Sequence, residues 1–262
     1  MRYSIGDVAR TLGLTPAALH FFEKEGVIQP VKGSNTHRTY GADDIVRLIS
    51  YRKYRSMEFP LKEIAQQFSS AGSTYPEIAE KLAASRLDAL AAAERATRLA
   101  EQIDWFERHI RASEHRMEKI DVQPMPACCL LTVGEDGYIS RNRTEQQLVA
   151  SWLEQLPAVR LGSVLDGQNK ARLGFSVDVK TAERLNLRGE ATAETEAGVA
   201  LHTFLRIPNG YYNEPMQAFR PLLDYAAAHG FARQGMGMAV NLCVWCHEKE
   251  HDTLVEVWLP IA

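Results

Sequence analysis

The stretch "CVWCHEKEHD" places Cys243, Cys246, His247 and His251 within nine residues. Two thiolates and two imidazoles are the donor set of tetrahedral zinc, provided a loop or turn lets both sulfurs converge. The apolar run "AVNLCVW" that leads into it reads instead as a buried strand. On a strand, residues three apart face opposite sides, so Cys243 and Cys246 are expected to be separated core cysteines with no metal between them. The adjacent pair Cys128 and Cys129 divides in the same way, and cysteine is a common buried hydrophobe. A metal or thiol-redox sensor is the alternative, and it requires the cysteines to converge.

The 262 residues are 45% hydrophobic and 24% charged, enough for two modest domains or one large one. No stretch approaches the roughly 20 apolar residues of a membrane span, and "MRYSIGDVAR" lacks the features of a secretory signal. A cytoplasmic protein without a membrane partner is expected, with its four cysteines reduced. The net charge of −3 is uneven. Residues 1–70 carry ten Lys/Arg against seven Asp/Glu, and the remainder twenty against twenty-six. A basic module on an acidic body points to an anionic partner, nucleic acid first.

The elements that would meet such a partner are legible at the N-terminus. A helix is expected from about Ser4 to Thr11, then a turn at Gly13, where positive φ is cheap. Thr15 followed by Pro16, a capping residue and then proline at the first helical position, announces a second helix ending near Gly26. This is the layout of a helix-turn-helix whose second helix enters the major groove. The polar stretch "VKGSNTHRTYGADD" reads as a loop or short hairpin, a wing, with a third helix starting at Asp43 and Asp44 and a fourth at "FPLKEIAQQF".

"YSIGDVA", "TP", "LHFFEKEGVIQP" and "NTHRTY" resemble the MerR family of transcription regulators over about the first 70 residues. The resemblance implies a winged helix-turn-helix DNA-binding domain over residues 1–72. The DNA-contact candidates are Tyr3, Thr15, Ala17, Ala18, His20, Phe21, Lys32, His37, Arg38 and Tyr40. Ala17 and Ala18 stand where the family usually has polar or basic groups, and His20, Phe21 and Phe22 replace its arginine and two tyrosines. Alanine cannot read a donor/acceptor pattern and phenylalanine cannot donate to a phosphate, so base readout should be thin.

Residues 75–120, alanine-rich and free of glycine, read as one long helix. Leu82, Ala89, Ala96, Ile103, Ile110 and Met117 at position a, with Ser85, Ala92, Leu99, Phe106, Ser113 and Ile120 at d, give a coiled-coil seam. The resemblance implies a homodimer built on an antiparallel pair of these helices, acting with RNA polymerase on double-stranded promoter DNA.

Residues 121–262 fall into two strand-helix-strand-strand units in tandem, so the fold class is α+β multidomain. This order, with the closing "VEVWLPI", resembles the GyrI-like effector-binding domain. The resemblance implies a cleft between the halves, lined with aromatics, in which an acidic residue of the last strand faces a small organic cation. The matching position is Glu256. Alternation along "TLVEVWLPI" puts Leu254, Glu256 and Trp258 on one face and Val255, Val257 and Leu259 on the other. A carboxylate in such a cleft is poorly solvated and attracts a cation whose apolar groups sit against aromatic faces. Wall candidates besides Trp258 are Tyr138, Trp152, Phe175, Phe204, Tyr211, Tyr212, Tyr225 and Trp245. The expected protein is a ligand-responsive DNA-binding regulator sensing lipophilic cationic or aromatic compounds, with no cofactor. A drug-sequestering or enzymatic body on a DNA anchor is the rival from another class. No nucleophile-base-acid spacing or phosphate loop supports catalysis.

Overall fold

The computed structural model describes residues 2–32, 37–68, 72, 74–134, 141–208, 212–247 and 250–262. It divides into two compact units, Met1–Arg95 and Ala96–Ala262. Among the described residues no helix is long and apolar enough to cross a membrane.

In the first unit, β1 (Tyr3–Ser4) runs into α1 (Ile5–Leu12). Ser4 caps α1 by accepting the Asp7 N–H at 3.2 Å, and its own hydroxyl donates to the Asp7 carboxylate at 2.6 Å. Gly13 closes α1 in the left-handed conformation at φ 60, which costs glycine little. α2 (Pro16–Lys24) opens with Thr15 accepting the Ala18 N–H at 3.1 Å. β2 (Val31–Lys32) and β3 (Arg38–Tyr40) follow, and β3 pairs with both β1 and β2 in an antiparallel sheet of order β1-β3-β2. α3 (Ala42–Ser56) and α4 (Leu61–Gln67) complete the unit with the first turns of α5 (Tyr75–Arg116). Asp44 accepts the Gly41 N–H and the Gln29 N–H, both at 2.9 Å, and so fixes the start of α3 to the chain leaving α2. Val8, Leu12, Leu19, Phe22, Val27, Ile28, Tyr40 and Leu48 form the core.

The second unit is an eight-stranded antiparallel sheet with helices on it. β4 (Asp121–Met125), β5 (Cys128–Thr132), α6 (Arg143–Leu153), β6 (Arg160–Leu165), β7 (Ala171–Asp178), α7 (Val179–Arg184) and β8 (Ala193–Thr195) make its first part. β9 (Gly198–Pro208), α8 (Arg220–His229), β10 (Gly237–His247) and β11 (Glu250–Ile261) make the rest. The order is β4-β9-β11-β10-β6-β7-β5-β8. The β5-α6-β6-β7 unit repeats as β9-α8-β10-β11. In each, the first strand pairs with the last, and β6 and β10 join the halves about a pseudo-twofold axis.

Strand alternation separates the two sheet faces. Val255, Val257 and Leu259 pack with Leu222 and Ala226 of α8, while Leu131, Phe175 and Val177 pack with Val149 and Trp152 of α6. Each such fully buried apolar side chain contributes about 1.5–3 kcal/mol. The opposite face, with Phe204, Val240 and Leu254, is covered by Trp105, Phe106, Ile110 and Met117 near the end of α5. Phe106, Ile110 and Met117 of the expected seam thus pack, partly buried, on their own sheet. Leu99 and Ile103 of the same expected seam remain exposed, at 49% and 57%. The edge strands β4 and β8 and the short helix α7 lie outside the repeat and were not foreseen.

Candidate functional site

In the first unit, the second helix and the hairpin converge on one surface. Ala17 and His20 are exposed on α2, with Phe21 exposed beside them, while Phe22 turns into the core. Arg38 of β3 donates from Nε to Glu23 Oε2 of α2 at 2.6 Å, and His20 Nδ1 lies 3.8 Å from the same oxygen. The hairpin is thereby tied to the helix by a charge-assisted bond. Lys32 sits opposite Arg38 on the ladder and is exposed, as is His37. Tyr3 is exposed on β1, and the Thr15 hydroxyl is committed to the helix cap. Two expected contacts need correction. Tyr40 is 0% exposed, with its hydroxyl unpartnered among the described residues, so it is core and cannot reach a phosphate. Burial pushes its ionisation upward, and the Glu23 charge adds to this. Ala18 is half-buried against the same core.

In the second unit, the residues around Glu256 form a row across five strands. Gly162 pairs with Val240, Val240 with Glu256 and Glu256 with Phe204, and Gly174 lies across from Gly162 at the other end. Cross-strand partners share a face, so two positions without side chains lie in the same row as the carboxylate. Glu256 is only 2% exposed. Its Oε1 lies 2.8 Å from His202 Nε2 and its Oε2 lies 3.8 Å from His109 Nε2. His202 is itself buried, edge-on to Phe204 and 4.1 Å from Trp258 between ring centroids. Its Nδ1 lies 3.1 Å from Arg116, which donates to both oxygens of Asp121 at 2.7 Å. Partial burial would raise the Asp121 ionisation, but the bonds from Arg116 and Gln123 hold it below the usual carboxylate range.

α5 roofs this row with aromatic groups. His109 stacks on Trp105 at 3.8 Å between centroids, with its Nδ1 2.6 Å from the Trp105 carbonyl of its own helix. The Arg160 guanidinium lies 3.8 Å from the Trp105 centroid. Imidazole and guanidinium, both that close to one ring centre, would collide on one side of the indole, so Trp105 is held between them.

Of the expected wall residues, the structure brings Phe204 and Trp258 to Glu256. Trp152 and Phe175 belong to the core under α6, and Tyr212 and Tyr225 pack on the α8 side. These four lie on the opposite face because of strand parity and helix placement. Trp245 is 37% exposed towards the hairpin end of β10, under the guanidinium of Arg206. Tyr138 and Tyr211 lie outside the described residues. Sequence reasoning missed His202, His109, Trp105, Arg116 and Arg160. A histidine at an inward position of "GVALHTFLRI", facing the same side as Phe204, was the available signal.

The cysteines sit on the sheet. Cys128 packs with Leu130 and Val164, and Cys129 with Leu131 and Phe175, on opposite faces. Cys243 lies across from Leu254 and Cys246 across from His251, three ladder positions apart, with a bulge between Asn241 and Cys243. Among the described residues no three His, Cys, Asp or Glu side chains gather as a metal-holding group. Burial pushes the Cys128 thiol up to about 12 and raises that of Cys129. A thiol reagent at neutral pH is therefore expected to modify exposed Cys246 first, and Cys128 and Cys129 only on unfolding. Rapid native labelling of Cys128 would contradict its place in the core.

The first unit, a capped helix pair with a short hairpin tied to its second helix, is of the winged helix-turn-helix class. Residues 3–71 match the family model described as MerR HTH family regulatory protein, so this unit is a MerR-type helix-turn-helix. The chain is 33% identical over 103 residues to the HTH-type transcriptional regulator SkgA of Caulobacter vibrioides (strain NA1000 / CB15N), covering 39% of each chain. It is 39% identical over 66 residues to the HTH-type transcriptional activator TipA of Streptomyces coelicolor, covering 25% of this chain and 26% of that one. The chain thus matches well under half the length of these relatives. A solved structure of an EcmrR–DNA complex aligns over 99% of both chains at 17% identity with a TM-score of 0.39, too low to define a shared fold.

Proposed function

We propose that this chain is a ligand-responsive transcription regulator. Its first unit grips double-stranded promoter DNA as part of a homodimer, and its second unit is a GyrI-like effector-binding domain for small lipophilic cationic or aromatic compounds. The match of residues 3–71 to the MerR model supports the DNA half. The exposed Leu99 and Ile103 of α5 support pairing with a second copy, which would place two DNA modules on a symmetric site. The observation that carries the ligand half is Glu256, a carboxylate buried between two histidines and three aromatic rings on β11, the last strand of the second repeat.

Promoter DNA would be read mostly by shape, with RNA polymerase as the partner that feels the change. Bending or untwisting a site costs roughly 1–6 kcal/mol, within reach of protein contacts. The alanine-faced α2 suits that mode. Ligand acts only insofar as it prefers one pose of the DNA-bound dimer.

A duplex selected in vitro from random sequence by the wild-type protein tests the DNA half, and it is expected to show two related half-sites. Arg38→Ala should then weaken binding across sequences and reduce the slope of affinity against salt by about 1. Unchanged affinity and slope would overturn the wing's role.

A further inference from the structure

The sheet row that holds Glu256 also faces a positive charge. Arg160 projects from β6, on the same side as Val164, which packs in the cluster holding Met238 and Trp258. Its guanidinium covers the free side of Trp105, and Glu256 is among the groups whose charge it feels. Asp178, another of these, already accepts the Thr181 N–H at the start of α7. The Nε of Arg160 is buried and has no hydrogen-bond partner among the described residues. Buried donors on a charged group are costly unless an acceptor reaches them. Glu256 does not serve as that acceptor, because its own near neighbours are His202 and His109.

The proposed site therefore has two charged poles, Glu256 and Arg160, beside one indole. A ligand bearing only positive charge gains from Glu256 but approaches against Arg160. One that also carries an anionic group can satisfy both, with its aromatic plane against Trp258. We propose, resting on the ligand reading above, that the effector is amphoteric, a flat aromatic compound bearing both a cationic group for Glu256 and a carboxylate or similar acceptor for Arg160. Planar guanidinium and carboxylate match in two-point geometry, which gives selectivity as well as attraction.

Two dyes that differ at one group test this. Rhodamine 19 carries a free carboxylate beside its cationic xanthene, and rhodamine 6G is its ethyl ester. Fluorescence anisotropy with the full-length protein should show the acid binding at least tenfold tighter than the ester. Arg160→Met keeps an unbranched chain against Trp105 and should bring the two dyes to equal affinity, while Arg160→Lys, which keeps the charge, should retain part of the preference. Glu256→Gln should weaken both dyes. Ester binding that equals or exceeds that of the acid, or a preference that survives in Arg160→Met, would overturn the amphoteric assignment while leaving a Glu256-dependent cation site standing. Binding of neither dye would remove the ligand reading and this inference with it.

Discussion

Gly162→Ala is expected to destabilise the second unit by roughly 3 kcal/mol, the upper end of overpacking penalties. A Cβ at Gly162 would lie 1.8 Å from the Ala239 carbonyl oxygen and 2.8 Å from its carbon. Both are backbone atoms of β10, so no side chain can turn aside to make room. Gly162 pairs with Val240 at the seam where the two repeats meet, and forcing these strands apart would separate the row that holds Glu256. The chain has four tryptophans, Trp105, Trp152, Trp245 and Trp258, all in the second unit, so a thermal melt followed by their emission reports on this unit alone. Gly167→Ala is the matched control. Nothing lies within 4 Å of a Cβ there, and its effect should stay within about 0.5 kcal/mol. Equal melts for the two variants would mean that β6 and β10 are not packed as described.

Glu256→Ala is the second large effect. It leaves the imidazole of His202, 1% exposed, without its 2.8 Å partner, and an unsatisfied buried donor costs about 1–3 kcal/mol. Glu256→Gln removes the charge while keeping an oxygen that accepts from Nε2, so its melt should stay close to wild type. The two variants separate a structural role from a binding role. If Glu256→Gln melts as low as Glu256→Ala, the negative charge itself holds the cluster together.

Local chemistry made much of this fold readable. Ser4, Gly13, Thr15 and Pro16 each act where their backbone preferences require, and the alternation of β11 sorts its residues onto two faces as its pattern dictates. The repeat emerged because each half has its own run of strand, helix and paired strands. What stayed hidden was contact across the chain. His202 and Glu256 are 54 residues apart and meet only because β9 and β11 pair in one register. Heptad spacing on α5 does not say what the seam packs on, since a seam on another helix and one on a sheet share the same period near Phe106 and Ile110. Aromatic type alone could not say which rings stand beside Glu256. Phe175 and Phe204 are equally buried, and only the sheet's two faces tell them apart.

The most direct test of the account is quenching of the four tryptophans as bulky aromatic cations, tetraphenylphosphonium among them, are titrated into wild type and Glu256→Gln, with zinc and copper in parallel. Saturable quenching by the organic cation, at least tenfold weaker in Glu256→Gln, is the predicted result. A response to the metals alone, or equal cation affinity in both proteins, would contradict the placement of ligand sensing at Glu256.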